Sequence, residues 1–121
     1  MMFTTTTRVI LTLVAAASVT KADFFANFFD DADCTQNSGI GVDIRNPGCL
    51  GEAGRGSVYI PNTGLGTTDD NQFCLVITAG DGSCSCQSSS NTFTATGFCK
   101  VLDPSDQSYR FISGACGPNN C

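Results

Sequence analysis

Apolar and polar positions alternate in short runs along this chain, and Gly, Pro, Asn or Asp breaks each run after a few residues. Stretches rich in β-branched and aromatic residues occupy 24–29, 57–60, 73–78, 83–87, 92–102 and 108–113. Turn-forming clusters fall between them at 46–48, 61–64, 80–82, 103–105 and 117–119, where Gly, Pro and Asn supply the backbone angles that turns need. Short strands between frequent turns predict an all-β fold, a small antiparallel disulfide-stabilised sandwich or Greek-key domain. The pairs Phe24-Phe25 and Phe28-Phe29 would also fit one helix face, but the run ends in Asp30, Asp31 and Asp33. With no apolar stripe continuing at helical spacing, a strand is preferred. Core burial is expected for Phe28 or Phe29, with Phe24 and Phe25 as a sticky exposed end in the alternative.

The sharpest local expectation concerns 73–88. If Asp81-Gly82 forms a two-residue type I′ turn, Gly80 faces Ser83, Ala79 faces Cys84 and Ile77 faces Cys86. Alternation then sets Cys84 and Cys86 on the sheet face that carries Phe73, Leu75 and Ile77, and turns Cys74 with Val76 to the other. Cys74 is therefore expected to bond neither Cys84 nor Cys86. These two are not expected to bond each other, because residues i and i+2 of a strand stand about 6.6 Å apart with poorly aimed Cβ vectors. Ser88-Ser89-Ser90-Asn91 reads as a loop.

The N-terminus departs from this pattern. Residues 9–19 (VILTLVAAASV) form an apolar run of eleven, preceded by Arg8 and followed by Thr20-Lys21-Ala22. This is the layout of a secretory signal, with cleavage expected after Ala22 or, reading Ala15-Ala16-Ala17, after Ala17. A spanning helix needs about 20 apolar residues, so no membrane span is expected after cleavage. The organisation expected is a signal peptide at 1–22 and one secreted cysteine-rich β domain at 23–121.

Export gives the cysteines their meaning. Cys34, Cys49, Cys74, Cys84, Cys86, Cys99, Cys116 and Cys121 are an even set of eight, which in an exported chain reads as four disulfides of open connectivity. A domain of this size buries too little apolar area to offset its ordering entropy comfortably, and covalent links supply the difference. Within 23–121, Arg45, Arg55, Lys100 and Arg110 stand against all eleven acids, a net charge of −7. Phosphate backbones and anionic lipid heads repel such a surface, which argues against nucleic-acid binding and cationic membrane lysis.

Catalytic chemistry finds little support. The chain has no histidine, which removes the Ser-His-Asp and Cys-His arrangements. Asp30, Asp31, Asp33, Asp69 and Asp70 are the only clustered acids, and without Trp, and with only Tyr59 and Tyr109 as tyrosines, they read as solvated loops rather than a glycosidase pair. Counted from Asp31, an EF-hand would need Gly and Glu where Gln36 and Val42 stand, so no EF-hand is assigned, and a looser calcium site with Asp31 and Asp33 as first candidates is the minor alternative. Cys84-Ser85-Cys86 reads as two half-cystines rather than a redox dithiol. No catalytic residue, cofactor or metal is expected, nor is N-glycosylation, since no Asn-x-Ser/Thr sequon occurs.

Four segments carry a resemblance: Phe29-Asp30-Asp31-Ala32-Asp33-Cys34, Gly54-Arg55-Gly56-Ser57-Val58-Tyr59-Ile60, Phe73-Cys74-Leu75-Val76-Ile77 and Cys84-Ser85-Cys86. In them the chain resembles the small secreted cysteine-rich proteins of filamentous fungi, many of them candidate effectors. The aromatic-acidic-cysteine opening followed by a Ser-led strand is weakly similar to βγ-crystallin-like Greek keys, a fold shared by some killer toxins, though the calcium signature of that group is not intact. The resemblance implies a non-enzymatic, monomeric protein acting by binding to an extracellular protein or surface component. A killer-type toxin or an inhibitor of secreted hydrolases are the alternatives. The polar connection 61–72 (PNTGLGTTDDNQ) is the expected interaction surface, with the Asp81-Gly82 tip as a second contact.

Overall fold

A computed structural model describes residues 23–121, so the leader expected at 1–22 and its cleavage sites lie outside the described residues. Seven strands follow in order: β1 Phe25–Phe29, β2 Val42–Asp43, β3 Ser57–Asn62, β4 Gln72–Thr78, β5 Ser89–Thr94, β6 Thr96–Val101 and β7 Ser108–Ser113. They form two antiparallel sheets, a four-stranded one ordered β2-β1-β3-β6 and a three-stranded one ordered β5-β4-β7. The all-β expectation is met as a disulfide-stabilised sandwich.

Alternation explains what lies between the sheets. Phe28 of β1 and Val58 and Ile60 of β3 face inward from one sheet, and Phe73, Leu75, Ile77, Tyr109 and Phe111 from the other. Phe28 contacts Tyr109 and Phe111 across the gap at ring distances of 5.2 and 6.5 Å, and Phe93 meets Phe98 at 6.2 Å. Burying such rings contributes roughly 1.5–3 kcal/mol each. Of the two candidates for the core, Phe28 is buried and Phe29 only half-buried, as the pleat requires. Burial pushes the Tyr109 phenol well above its usual range, and its hydroxyl has no partner.

The hairpin expected at 73–88 is not formed. β4 pairs with β5 through Ile77↔Ser89, so 79–88 is a long connection and 83–87 is not a strand. Local chemistry favours the loop. The Asp81 carboxylate accepts from the Ser83 N–H and from both the Ser83 and Ser85 hydroxyls, an Asx turn in place of a type I′ turn. Cys84 takes a left-handed φ of 55°, and bonds to Cys49 and Cys121 draw Cys84 and Cys86 out of line with β4. The tri-serine stretch read as a loop becomes the start of β5. The run 92–102, read as one strand, is two strands split at the buried Ala95, where the chain changes sheet.

The disulfides are Cys34–Cys99, Cys49–Cys84, Cys74–Cys116 and Cys86–Cys121, with no free thiol among the described residues. Cys74 bonds neither Cys84 nor Cys86, and those two do not bond each other, as expected, although the register invoked for it is absent. Sequence separations of 35 to 65 residues make each bond worth about 4 kcal/mol in the chain-entropy picture.

Two of these bonds hold the C-terminal segment 114–121 across the outer face of the three-stranded sheet. Cys74 and Val76 of β4 point to that face, yet both are buried. Cys116 is bonded to Cys74, and its N–H donates to the Thr92 hydroxyl of β5. Further along, the Gln87 side chain donates to Gly117 O at 2.7 Å and Asn119 Oδ1 at 2.8 Å. Its backbone N–H donates to Asn120 Oδ1, and its carbonyl accepts from the Asn120 and Cys121 N–H groups.

Candidate functional site

The segment expected to make contact, 61–72, is shorter than it reads. Pro61 and Asn62 belong to β3 and Gln72 to β4, leaving 63–71 as the connection, with a single 3-10 turn at Asp69–Asn71. Residues 64–70 are all exposed, whereas Thr63 and Asn71 at either end are buried.

Asn71 organises the loop from beneath. Its amide nitrogen donates to Gly66 O and to Ala95 O, the latter at 3.1 Å, and its amide oxygen accepts from the Thr63 hydroxyl. On the main chain its N–H donates to Thr68 O at 2.9 Å, and its carbonyl accepts from Ala95 N–H at 3.1 Å. Every polar group of this buried residue is therefore engaged, the condition for polar burial to fix one conformation. The rim adds Gly64 N–H to Asn62 Oδ1 at 2.9 Å and the Thr68 hydroxyl to Leu65 O at 3.2 Å. Gly64 and Gly66 adopt left-handed φ values of 82° and 67°, which other residues reach only with strain.

This frame holds up Leu65, 41% exposed, together with Thr67, Thr68, Asp69 and Asp70. The segment 61–72 carries two carboxylates and no cation. Chemically it offers one apolar contact beside negative charge.

The second expected contact, the Asp81-Gly82 tip, lies within the 79–88 connection and is tied down. Asp81 O accepts from the Ser108 hydroxyl at 2.8 Å, and the same hydroxyl oxygen accepts from Cys84 N–H at 3.0 Å. The Ser85 hydroxyl, aided by Ser83, holds the Asp81 carboxyl below its usual range.

Two acids of the cluster after β1, Asp31 and Asp30, are engaged by nearby groups. Asp31 accepts from the Thr35 hydroxyl and from the Thr35 and Gln36 N–H groups, and the Thr35 hydroxyl chiefly lowers its pKa to about 2. Asp30 accepts from Arg55 and from the Asn37 amide. Among the described residues no group of three or more His, Cys, Asp or Glu is arranged to hold a metal, and no helix is long and apolar enough to cross a membrane. The eight cysteines expected as half-cystines are all paired. Spacing alone pointed neither to Asn71 nor to Gln87, since nothing in it tells an inward-turned amide from an exposed one.

Compared with known proteins, the chain matches no family model, no curated protein and no solved structure, so the resemblance in its residues stands as a reading of the sequence alone.

Proposed function

We propose that this chain is a secreted, non-enzymatic binding protein of the effector-like, cysteine-rich kind, acting in the extracellular space of a host through the loop 63–71. The observation that carries this is the pinning of an exposed, sequence-polar loop by the fully engaged Asn71. A loop ordered before contact loses little entropy on binding, so its few side chains convert more of their contact energy into affinity. Four disulfides and a compact β core are typical of extracellular proteins. The same exposed Leu65 on a rigid loop favours, as a second reading, an inhibitor that seats this residue in the cleft of a secreted hydrolase.

The test is recovery of partners from host extracellular fluid by the purified 23–121 domain, against a Leu65→Ser/Asp70→Ala variant shown to keep four disulfides. Partners bound by the parent and lost by the variant support the reading, and hydrolase inhibition by the same samples separates the two forms. Equal recovery by both proteins would overturn the role of the loop.

A further inference from the structure

The outer face of the four-stranded sheet carries exposed apolar side chains that neither the core nor the loop 63–71 accounts for. Because Phe28, Val58 and Ile60 face inward, alternation turns Phe25 and Phe29 of β1, Tyr59 of β3 and Val101 of β6 outward. The loop after β1 is fastened across the middle of this face: Cys99, which pairs with Tyr59, is bonded to Cys34, and Cys34 N–H donates to the buried hydroxyl of Ser57, which pairs with Val101. Phe25, Tyr59 and Val101 nonetheless stand 52, 39 and 62% exposed. Tyr59 reaches along the sheet, its hydroxyl 3.2 Å from where a Cβ on Gly97 would sit. Large apolar side chains gathered on one face mark a contact surface.

Charge decides what could cover it. Asp23 sits at one end, its carboxylate accepting from Phe25 N–H at 2.9 Å, and Asp43 pairs with Phe25 across β1 and β2. At the other end, beyond Phe29, the chain runs through Asp30, Asp31 and Asp33. Arg45 pairs with Asp43, and Arg55 with Asp30 and Glu52, so among the described residues Asp23, Asp31 and Asp33 are the carboxylates here that no cation offsets, while Lys100 of β6 has the parity of the buried Val58. A second copy would bring the same carboxylates against these, and anionic lipid or nucleic acid would fare no better. We infer that this face docks a cationic protein surface, one whose Lys or Arg residues surround an apolar patch. The inference rests on the reading of the chain as a binding protein but concerns a surface distinct from 63–71.

A synthetic amphipathic Lys/Leu peptide serves as probe, with a Lys/Ser peptide of equal charge and a Glu/Leu peptide as controls. Binding is read by calorimetry and by NMR shift mapping on the isotope-labelled 23–121 domain. The expected result is saturable Lys/Leu binding with shifts at Phe25, Tyr59 and Val101, at least about threefold weaker at high than at low salt. Phe25→Ser/Val101→Ser, at two well-exposed positions, should weaken it by about tenfold. Asp23→Asn/Asp43→Asn gives a separate charge variant with the same expected direction. Several outcomes overturn the proposal. Equal binding of the Lys/Ser peptide means that charge alone acts, and shifts confined to 64–70 assign contact to the loop instead. Sedimentation as a dimer assigns the face to a second copy, and retention on phosphatidylserine or phosphatidylcholine vesicles assigns it to lipid. Loss of partners by the Leu65→Ser/Asp70→Ala variant tests the loop independently of all these.

Discussion

The three-stranded sheet is closed on its outer side by the chain's own last residues, whereas the four-stranded sheet leaves Phe25, Tyr59 and Val101 partly in water. Both sheets supply the same kind of inner face, so the difference does not come from the core. The segment 114–121 has almost no apolar area to bury, and its hold on the sheet is covalent at Cys116 and Cys121 and polar at Gln87. Covering a face with such a segment requires bonds at fixed points, which removes that face from contact with anything else. The four-stranded sheet is strapped only in part, by the Cys34–Cys99 bond and the Cys34 N–H to Ser57 hydroxyl contact of the loop after β1, and Phe25 and Val101 stay exposed beside it. The two outer sides of one small domain are thus finished differently, one strapped by the chain's last residues and the other leaving apolar side chains exposed.

The harshest way to break this comparison is complete reduction, which removes the tail's anchors and the other two links together. Four bonds worth about 4 kcal/mol each exceed or match the 5–15 kcal/mol by which such domains are stable. The β-sheet circular dichroism signal and the cooperative melt should both disappear, and an unchanged melt would show that the core suffices. Next comes Cys74→Ala/Cys116→Ala, which frees the tail from β4 and should cost about 2–5 kcal/mol in denaturant titration, with faster hydrogen exchange in β4 and β7. Gln87→Ala keeps every disulfide and should cost about 0.5–1.5 kcal/mol, since it removes the side-chain bonds to Gly117 O and Asn119 Oδ1. Its signature is rapid exchange at Asn120 and Cys121 and faster reduction of Cys86–Cys121. On the open sheet, Phe25→Thr and Val101→Thr should change stability by no more than about 0.5 kcal/mol. A loss above about 2 kcal/mol at either would make that face part of the scaffold.

The smallest effect sharpens the electrostatics beside the open face. The Asp31 carboxyl is held down to about 2 in the folded protein, below its unfolded value of about 3.9. Its contribution is present above pH about 4 and lost as pH falls toward 2. Asp31→Asn should therefore lower the melting temperature slightly near pH 7 and flatten its fall between pH 4 and 2, so that parent and variant converge near pH 2.

The residues that were legible in advance are those whose behaviour is local. Phe28, Phe73, Leu75 and Ile77 face the core because a strand's pleat fixes which side chains share a face, and export plus an even cysteine count implied full pairing. The misreadings came from competition that spacing does not record. Asp81-Gly82 has the composition of a tight hairpin turn, but the Asp81 carboxylate finds Ser83 and Ser85 within reach and two disulfides pull the following residues aside. Residues 92–102 look continuous because Ala95 is unremarkable in composition, although its burial marks the crossing between sheets. In the loop, exposure of 64–70 was legible from polarity, while the anchoring role of Asn71 depends on the carbonyls of Gly66 and Ala95, which only the fold brings to it.

That anchoring has a consequence for how the protein can change. The loop is fastened at its two ends, through Thr63 and Asn71, and at main-chain atoms of Gly66 and of Ala95 in the corner between β5 and β6. A carbonyl can accept a bond whatever side chain its residue bears. The side chains of Leu65, Thr67, Asp69 and Asp70 are thus free to be exchanged without disturbing the two sheets, provided Asn71, Thr63 and the turn glycines stay. The domain is a ready frame for grafting: a lineage, or an engineer, could replace the presented surface repeatedly while inheriting the same folded body.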